Sequence, residues 1–195
     1  MRDDRHLIEE MTDREEILRG GFLHVVRDTV RLPNGRSATR EYVLHPGAVA
    51  VVPLLDDGRL VLERQYRHAA GGVMIEFPAG KLDPGEQALH CGQRELLEET
   101  GYVAREWAYA FTMYPTMAYS DEVIEIWFAR GLELRQARLD EDELLDVFTA
   151  TPQELLDWCR DGKVADSKTL AAALWVQNVI AGTWKLDWQA PPVAA

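Results

Sequence analysis

Cysteine is scarce, basic charge is in deficit, and no long apolar run opens this 195-residue chain. The two cysteines, Cys91 and Cys159, fit a reducing compartment, and neither belongs to a metal-spaced pair. Lys and Arg number 21 against 33 Asp and Glu. Broad nucleic-acid contact, which depends on basic side chains neutralising phosphate, is therefore not expected, and any phosphate would have to be reached through metal ions. Met1 to Leu18 is dense in charge without an apolar run, so neither a signal peptide nor a membrane span is expected, and the location expected is cytoplasmic. Pro/Ser-rich linkers, internal repeats and low-complexity tracts are also missing, which leaves one compact domain with an N-terminal extension.

Against this background one stretch stands out. In Ala88-Leu-His-Cys-Gly-Gln-Arg-Glu-Leu-Leu-Glu-Glu-Thr-Gly101, Glu95, Glu98 and Glu99 fall at i, i+3 and i+4. In an α-helix their carboxylates leave from one face and repel one another unless a cation sits there. Hard carboxylate oxygens suit Mg²⁺, Mn²⁺ or Ca²⁺, and Mg²⁺ keeps waters and borrows ligands from substrate phosphates. Taken alone, the cluster reads more readily as a solvated acidic face. Leu89 and Leu96 lie on a rotated face that can anchor the helix to a core, and Gly101 stands where a left-handed C-cap is needed. Glu86 is expected to start the helix near the positive end of its dipole. Arg94 is expected to hold a neighbouring carboxylate or the preceding loop through a forked hydrogen bond. Cys91 reads as a small buried thiol.

Gly80, then Glu86 after five residues, then Arg94-Glu95-Leu96 after seven more, then Glu98-Glu99, Gly101 and Tyr102 complete a longer pattern. It resembles the Nudix box at every fixed position, with Tyr102 where the family usually carries an aliphatic residue. The resemblance implies an α+β Nudix fold, a mixed β-sheet sandwiched between α-helices, over about residues 45–182. A β-hairpin extension at 1–44, a possible dimerisation element, would precede it and a tail at 183–195 would follow.

The remaining pattern agrees. Gly21–Leu32 and Ala38–Leu44 read as strands joined by Pro33-Asn-Gly-Arg36, a hairpin signal, and Ala48–Leu55 and Leu60–Gln65 as a second pair around Asp56-Asp-Gly58. Arg105–Met113, Val123–Leu132 and Leu144–Ala150 read as further strands, and Pro152–Asp161 and Ser167–Ala181 as helices.

Glu63-Arg-Gln-Tyr-Arg67 and Glu76-Phe-Pro-Ala-Gly80 look like the ADP-ribose pyrophosphatase branch of that family. By that resemblance, two or three metals, Mg²⁺ with Mn²⁺ as a possible substitute, would be held by the Ala79 carbonyl, Glu95, Glu98 and Glu99, with Glu143 as a further candidate. Glu141 would be the general base, with Glu143 an alternative, and Glu99 is placed with the catalytic set. Arg67, Lys81 and Glu122 would meet substrate, and Gly80, Glu86, Arg94 and Gly101 would serve the motif structurally. Arg67 can equally be a surface ion pair; for Glu122 the alternative is a strand-start glutamate, and for the Asp140–Glu143 cluster, less readily, a solvated turn. Phe22, Tyr42 and Tyr66 are candidates to stack a base, and all could be core.

The branch usually has a proline sixteen residues past the box's last glycine. Met117 occupies that position here and Pro115 comes two residues earlier. The expected reaction is hydrolysis of ADP-ribose to AMP and ribose 5-phosphate by a homodimer. GDP-mannose or another nucleotide sugar is the alternative substrate, and a non-hydrolytic nucleotide sensor the alternative class.

Overall fold

The run Ala48-Val-Ala-Val-Val-Pro-Leu54 is apolar throughout, and such a run suits a strand covered on both faces. In the computed structural model, which describes residues 3–136 and 144–191, it is the middle strand of a sheet. The elements in chain order are β1 (Glu10–Arg19), β2 (His24–Arg31), β3 (Ser37–Leu44), β4 (Ala48–Leu54), β5 (Leu60–Arg67), β6 (Gly72–Glu76), β7 (Ala79–Lys81), α1 (Ala88–Thr100), β8 (Tyr102–Met113), β9 (Ile124–Leu134), β10 (Leu145–Ala150), α2 (Pro152–Arg160) and α3 (Ser167–Ile180). The chain divides into two units, Met1–Pro46 with Thr116–Glu122, and Gly47–Pro115 with Val123–Ala195.

The first unit is an antiparallel sheet in the order β1-β2-β3. The β2–β3 hairpin turns at Asn34-Gly35, where Gly35 adopts φ 82° and donates to the Leu32 carbonyl at 2.8 Å. The expected hairpin is present as β2 and β3, and a third strand is added to it by β1. All ten of its residues are exposed, so no buried alternation betrays it, and its register is carried by main-chain pairing with β2. Across the sheet, Arg14 grips the buried Asp28 through two nitrogens at 2.7 and 2.8 Å, and the Tyr42 hydroxyl donates to the same carboxylate at 2.8 Å. The Arg14 hydrogen bonds hold the Asp28 carboxyl below its ordinary range. Segment Thr116–Glu122 packs on this unit through the Val43 N–H bond to the Tyr119 carbonyl and the His45 N–H bond to Asp121.

The second unit carries a mixed sheet in the order β10-β5-β4-β9-β8, with β6 on β5 and β7 on β4. The β4–β9 pair is parallel, and the other pairs are antiparallel. Alternation along β4 divides the core in two. Ala48, Ala50 and Val52 join Leu62, Ile126 and Phe128 under α2 and α3, while Val49 and Val51 join Cys91, Leu96, Trp107 and Ala129 under α1. This is the α+β sandwich expected from the sequence. Thr151 and Glu154 close α2 with a reciprocal capping box, and the Asp166 side chain caps α3. Beyond α3 the chain returns to the sheet edge, where Gln189 exchanges main-chain bonds with Trp107 at 2.8 and 2.9 Å and Trp188 lies under Arg130. Among the described residues no helix is long and apolar enough to cross a membrane.

Candidate active site

Helix α1 is set on the sheet by what it omits. A Cβ at Gly92 would stand 3.2 Å from Val49 and 3.3 Å from Val51, so glycine lets the helix axis approach β4 closely. Leu96 is fully buried on that side, and Leu89 packs at its edge. The helix stops at Gly101, whose φ of 74° turns its N–H onto the Leu97 carbonyl at 2.9 Å. Its start differs from expectation. Glu86 lies outside the helix, which begins at Ala88 behind Gln87. The Glu86 N–H is spent on the Asp83 carbonyl at 2.9 Å, in a turn completed by Gly85 at φ 80°, and its carboxylate accepts from the Asp83 N–H.

Two of the three helix glutamates are buried, Glu95 at 8% exposure and Glu99 at 2%, while Glu98 keeps 38% of its side chain open. Both buried carboxylates face the segment that leads into β7. Glu99 Oε2 accepts the Ala79 N–H at 3.0 Å. Glu95 lies where a side chain on Gly80 would be, since a Cβ there would fall 1.7 Å from Oε1. The helix and the Ala79–Gly80 backbone thus close on each other around two carboxylates, and only glycine permits it.

Arg94 brings positive charge to the flank of the helix. It reaches Glu86 through Nε at 3.0 Å and Nη2 at 2.9 Å, Glu95 through Nη1 at 2.7 Å, Glu98 at 3.1 Å and the Lys81 carbonyl at 3.1 Å. These fixed, forked donors suit several acceptors at once in a way an ammonium does not. The Arg94 hydrogen bonds outweigh partial burial and lower the Glu86 carboxyl to about 2, and Glu86 in turn holds Arg94 firmly charged. Burial, with the charges of Glu86 and Glu95 adding to it, raises the Cys91 thiol to about 12 and keeps it protonated and inert.

The other expected residues distribute as follows. Arg67 forms a forked pair with the buried Glu76, both bonds at 2.9 Å. Lys81 is exposed beside Gly80. Glu122 belongs to the first unit, 3.8 Å from His45 Nε2. Glu141 and Glu143 lie outside the described residues. Tyr42 is committed to Asp28, whereas Phe22 and Tyr66 are exposed, with their rings edge-on to His45 and His68. Sequence reasoning passed over Lys168 and Thr169, both buried at the start of α3, because Ser-Lys-Thr-Leu reads as an ordinary helix opening. It also passed over the burial of Glu63, which pairs across strands with Glu76.

The NUDIX domain model matches residues 44–173. The chain belongs to the Nudix family. A second family model, the nucleoside diphosphate sugar hydrolase N-terminal domain, matches residues 9–43 of this Nudix protein. Among relatives, a methanol dehydrogenase activator of Bacillus methanolicus is 39% identical, with 88% of this chain and 94% of that protein covered. An ADP-ribose pyrophosphatase of Bacillus subtilis is 34% identical over 89% of this chain and 95% of its own length. The crystal structure of an ADP compounds hydrolase superposes with a TM-score of 0.79 at 24% identity, covering 89% of this chain and 95% of that one, which establishes the shared fold.

Nudix hydrolases use divalent metal ions. The donors here suit such an ion: oxygen atoms of two buried carboxylates against main chain, with one guanidinium shared among three acidic groups. Among the described residues no three acidic, histidine or cysteine side chains close around one point. A cation held here would complete its shell with water and phosphate oxygen.

Proposed function

We propose that this Nudix hydrolase cleaves the diphosphate of a nucleoside diphosphate sugar in a Mg²⁺-dependent reaction, with ADP-ribose as substrate and AMP and ribose 5-phosphate as products. The observation that carries the reading is the closure of Ala79 and Gly80 on the buried pair Glu95 and Glu99. Two carboxylates this enclosed, presented from one helix beside main-chain oxygens, have the chemistry of a hard-cation site. The Bacillus subtilis relative's name and the match to a nucleoside diphosphate sugar hydrolase N-terminal domain support the substrate class.

The divalent ion, when bound, screens the phosphate oxygens and lowers the pKa of a coordinated water. Glu95, Glu98, Glu99 and the Ala79 carbonyl are the groups assigned to hold it. Arg94 keeps Glu95 and Glu98 oriented from the flank. A carboxylate must then accept the proton of the attacking water, and the acidic segment 140–143 gives that role to Glu141, with Glu143 beside it in sequence. Lys81 and Glu122 are assigned to substrate. Arg67, held by Glu76 in this structure, would meet substrate only through the donors that Glu76 leaves to it.

The strands β1–β3 are assigned as the surface that pairs with a second copy in a homodimer. Met11, Ile17 and Leu18 are exposed on β1, an edge strand of its sheet with no buried side chain, and such an edge suits a partner. A monomer by light scattering would contradict this. The reducing environment implied by two free thiols supports a cytoplasmic setting.

The testing experiment is initial-rate hydrolysis of ADP-ribose, GDP-mannose, UDP-glucose, NADH and diadenosine polyphosphates, with Mg²⁺ and with chelator, products being identified by chromatography. Metal-dependent AMP from ADP-ribose at the highest catalytic efficiency supports the proposal. Preference for another nucleotide sugar would assign Met117, in place of the branch's usual proline, to a changed pocket. Binding of nucleotide without cleavage would overturn hydrolysis in favour of sensing.

A further inference from the structure

The segment Glu76 to Gly80 is fixed residue by residue, and two of its fixing points belong to α3, far away in sequence. The Glu76 carboxylate is 2% exposed and takes the Arg67 fork from one side and the Lys168 ammonium from the other. Lys168 is itself buried and lies 3.1 Å from Asp166, the residue that caps α3. The next residue, Phe77, is fully buried, and its N–H donates to Thr169 Oγ1 at 3.1 Å. The Pro78 carbonyl accepts from the Val51 N–H at 2.9 Å, the Ala79 N–H donates to Glu99 at 3.0 Å, and Gly80 receives the Glu95 carboxylate. A continuous path of hydrogen bonds and short main-chain steps therefore runs from the first turn of α3 to both buried carboxylates of α1.

We infer that Thr169 and Lys168 are positioning residues for the cation site, acting through Phe77 and Glu76 on the placement of Ala79 and Gly80. The polar contacts of Lys168 and Thr169 run to Glu76, Phe77 and Asp166. Thr169 is the sharper of the two, because its hydroxyl is the acceptor of a main-chain N–H two residues from Ala79, in a place with no exposure to water. A buried N–H deprived of its acceptor carries a desolvation cost that the segment relieves by shifting toward another acceptor. Outer groups that orient the residues around a metal typically change its affinity or the activity by about 10- to 100-fold when removed. Serine at 169 keeps the acceptor. Valine removes it with little change in volume and leaves the Asp166 cap intact, because that cap binds the Thr169 main-chain N–H at 2.9 Å.

This inference rests on the reading of Glu95 and Glu99 as cation ligands, and the test separates the two. Mn²⁺ binding is measured without substrate, by the loss of free Mn²⁺ signal in electron paramagnetic resonance, for the full-length wild type, T169S, T169V, K168R and K168M. Melting temperatures and hydrolysis kinetics are recorded alongside. The expected result is about 10-fold weaker Mn²⁺ binding and a matching fall in kcat for T169V and K168M. T169S is expected to stay within about twofold of wild type and K168R to recover part of the loss, while T169V remains folded by circular dichroism. If wild type binds Mn²⁺ and a folded T169V binds it equally well with unchanged kcat, the positioning role is overturned. Should T169V fail to fold, folded K168M decides by the same criterion. Wild type that binds no Mn²⁺ overturns the cation-site reading itself, and the inference with it.

Discussion

The main-chain N–H of Ala79 donates to Glu99 Oε2 at 3.0 Å, binding a short strand to the helix that presents the buried carboxylates. The contact fixes one oxygen of a carboxylate that is 2% exposed and sets how close the strand comes to the helix. The neighbouring glycine depends on that separation, because Glu95 fills the space its missing side chain leaves.

Gly80→Ala should therefore be far more damaging than its size suggests. A Cβ 1.7 Å from Glu95 Oε1 cannot coexist with the present carboxylate, and Gly80 has ordinary negative φ, so the damage is steric rather than conformational. The expected outcome is a loss of at least about 100-fold in kcat/KM, roughly 2.7 kcal/mol of transition-state stabilisation. Steady-state kinetics on a protein shown to be folded by circular dichroism checks it.

Arg94→Ala removes the guanidinium shared by Glu86, Glu95 and Glu98. Arg94 keeps 29% of its side chain exposed, so the loss is smaller than for a fully buried pair, about 1–3 kcal/mol. For a chain of this length each kcal/mol lowers the melting temperature by about 2–4 °C. Added Mg²⁺ should restore more of that loss in the variant than it adds to wild type, because Glu86, Glu95 and Glu98 then lack the guanidinium that neutralises them. Calorimetry with and without Mg²⁺ reads this, and an equal Mg²⁺ effect in both proteins would contradict it.

Stability in acid should depend on Glu76. Burial alone would raise its carboxyl, but the Arg67 hydrogen bonds and the Lys168 charge outweigh burial and hold it below the ordinary value near 4.5. A carboxyl whose folded value is depressed contributes stability that is fully present above about pH 4.5, where the unfolded group is ionised. The contribution is lost as pH falls through the lower folded value. Glu76→Gln should lower stability at pH 7 and show a flatter decline below pH 4.5 than wild type. Urea unfolding between pH 7 and pH 3 tests the sign, and parallel curves would contradict it.

The features legible in the sequence are those whose signal is local. Asn34-Gly35 announces its hairpin, Gly101 its helix stop, and the spacing of Glu95, Glu98 and Glu99 puts them on one helix face. What was not legible depends on partners distant in sequence or on main chain. Strand β1 has ten exposed residues and no alternation to read, so only its pairing with β2 reveals it. The short strands β6 and β7 are likewise made by pairing with β5 and β4. Glu86 was expected inside the helix because helix-dipole reasoning favours an acid there, but a turn closed by Asp83 and Gly85 takes its main chain first. Glu76 and Lys168 stand 92 residues apart, and neither side chain has a sequence neighbourhood that signals burial.

The most direct test of the central claim is hydrolysis of ADP-ribose by wild type and by Glu99→Gln at saturating Mg²⁺, each also with excess chelator, with Mn²⁺ binding measured on the same preparations. The account predicts that Glu99→Gln folds, binds Mn²⁺ at least about 10-fold more weakly and loses most of its turnover, and that chelator abolishes the activity of wild type. A folded Glu99→Gln that keeps wild-type turnover would place the cation site away from this helix and contradict the account.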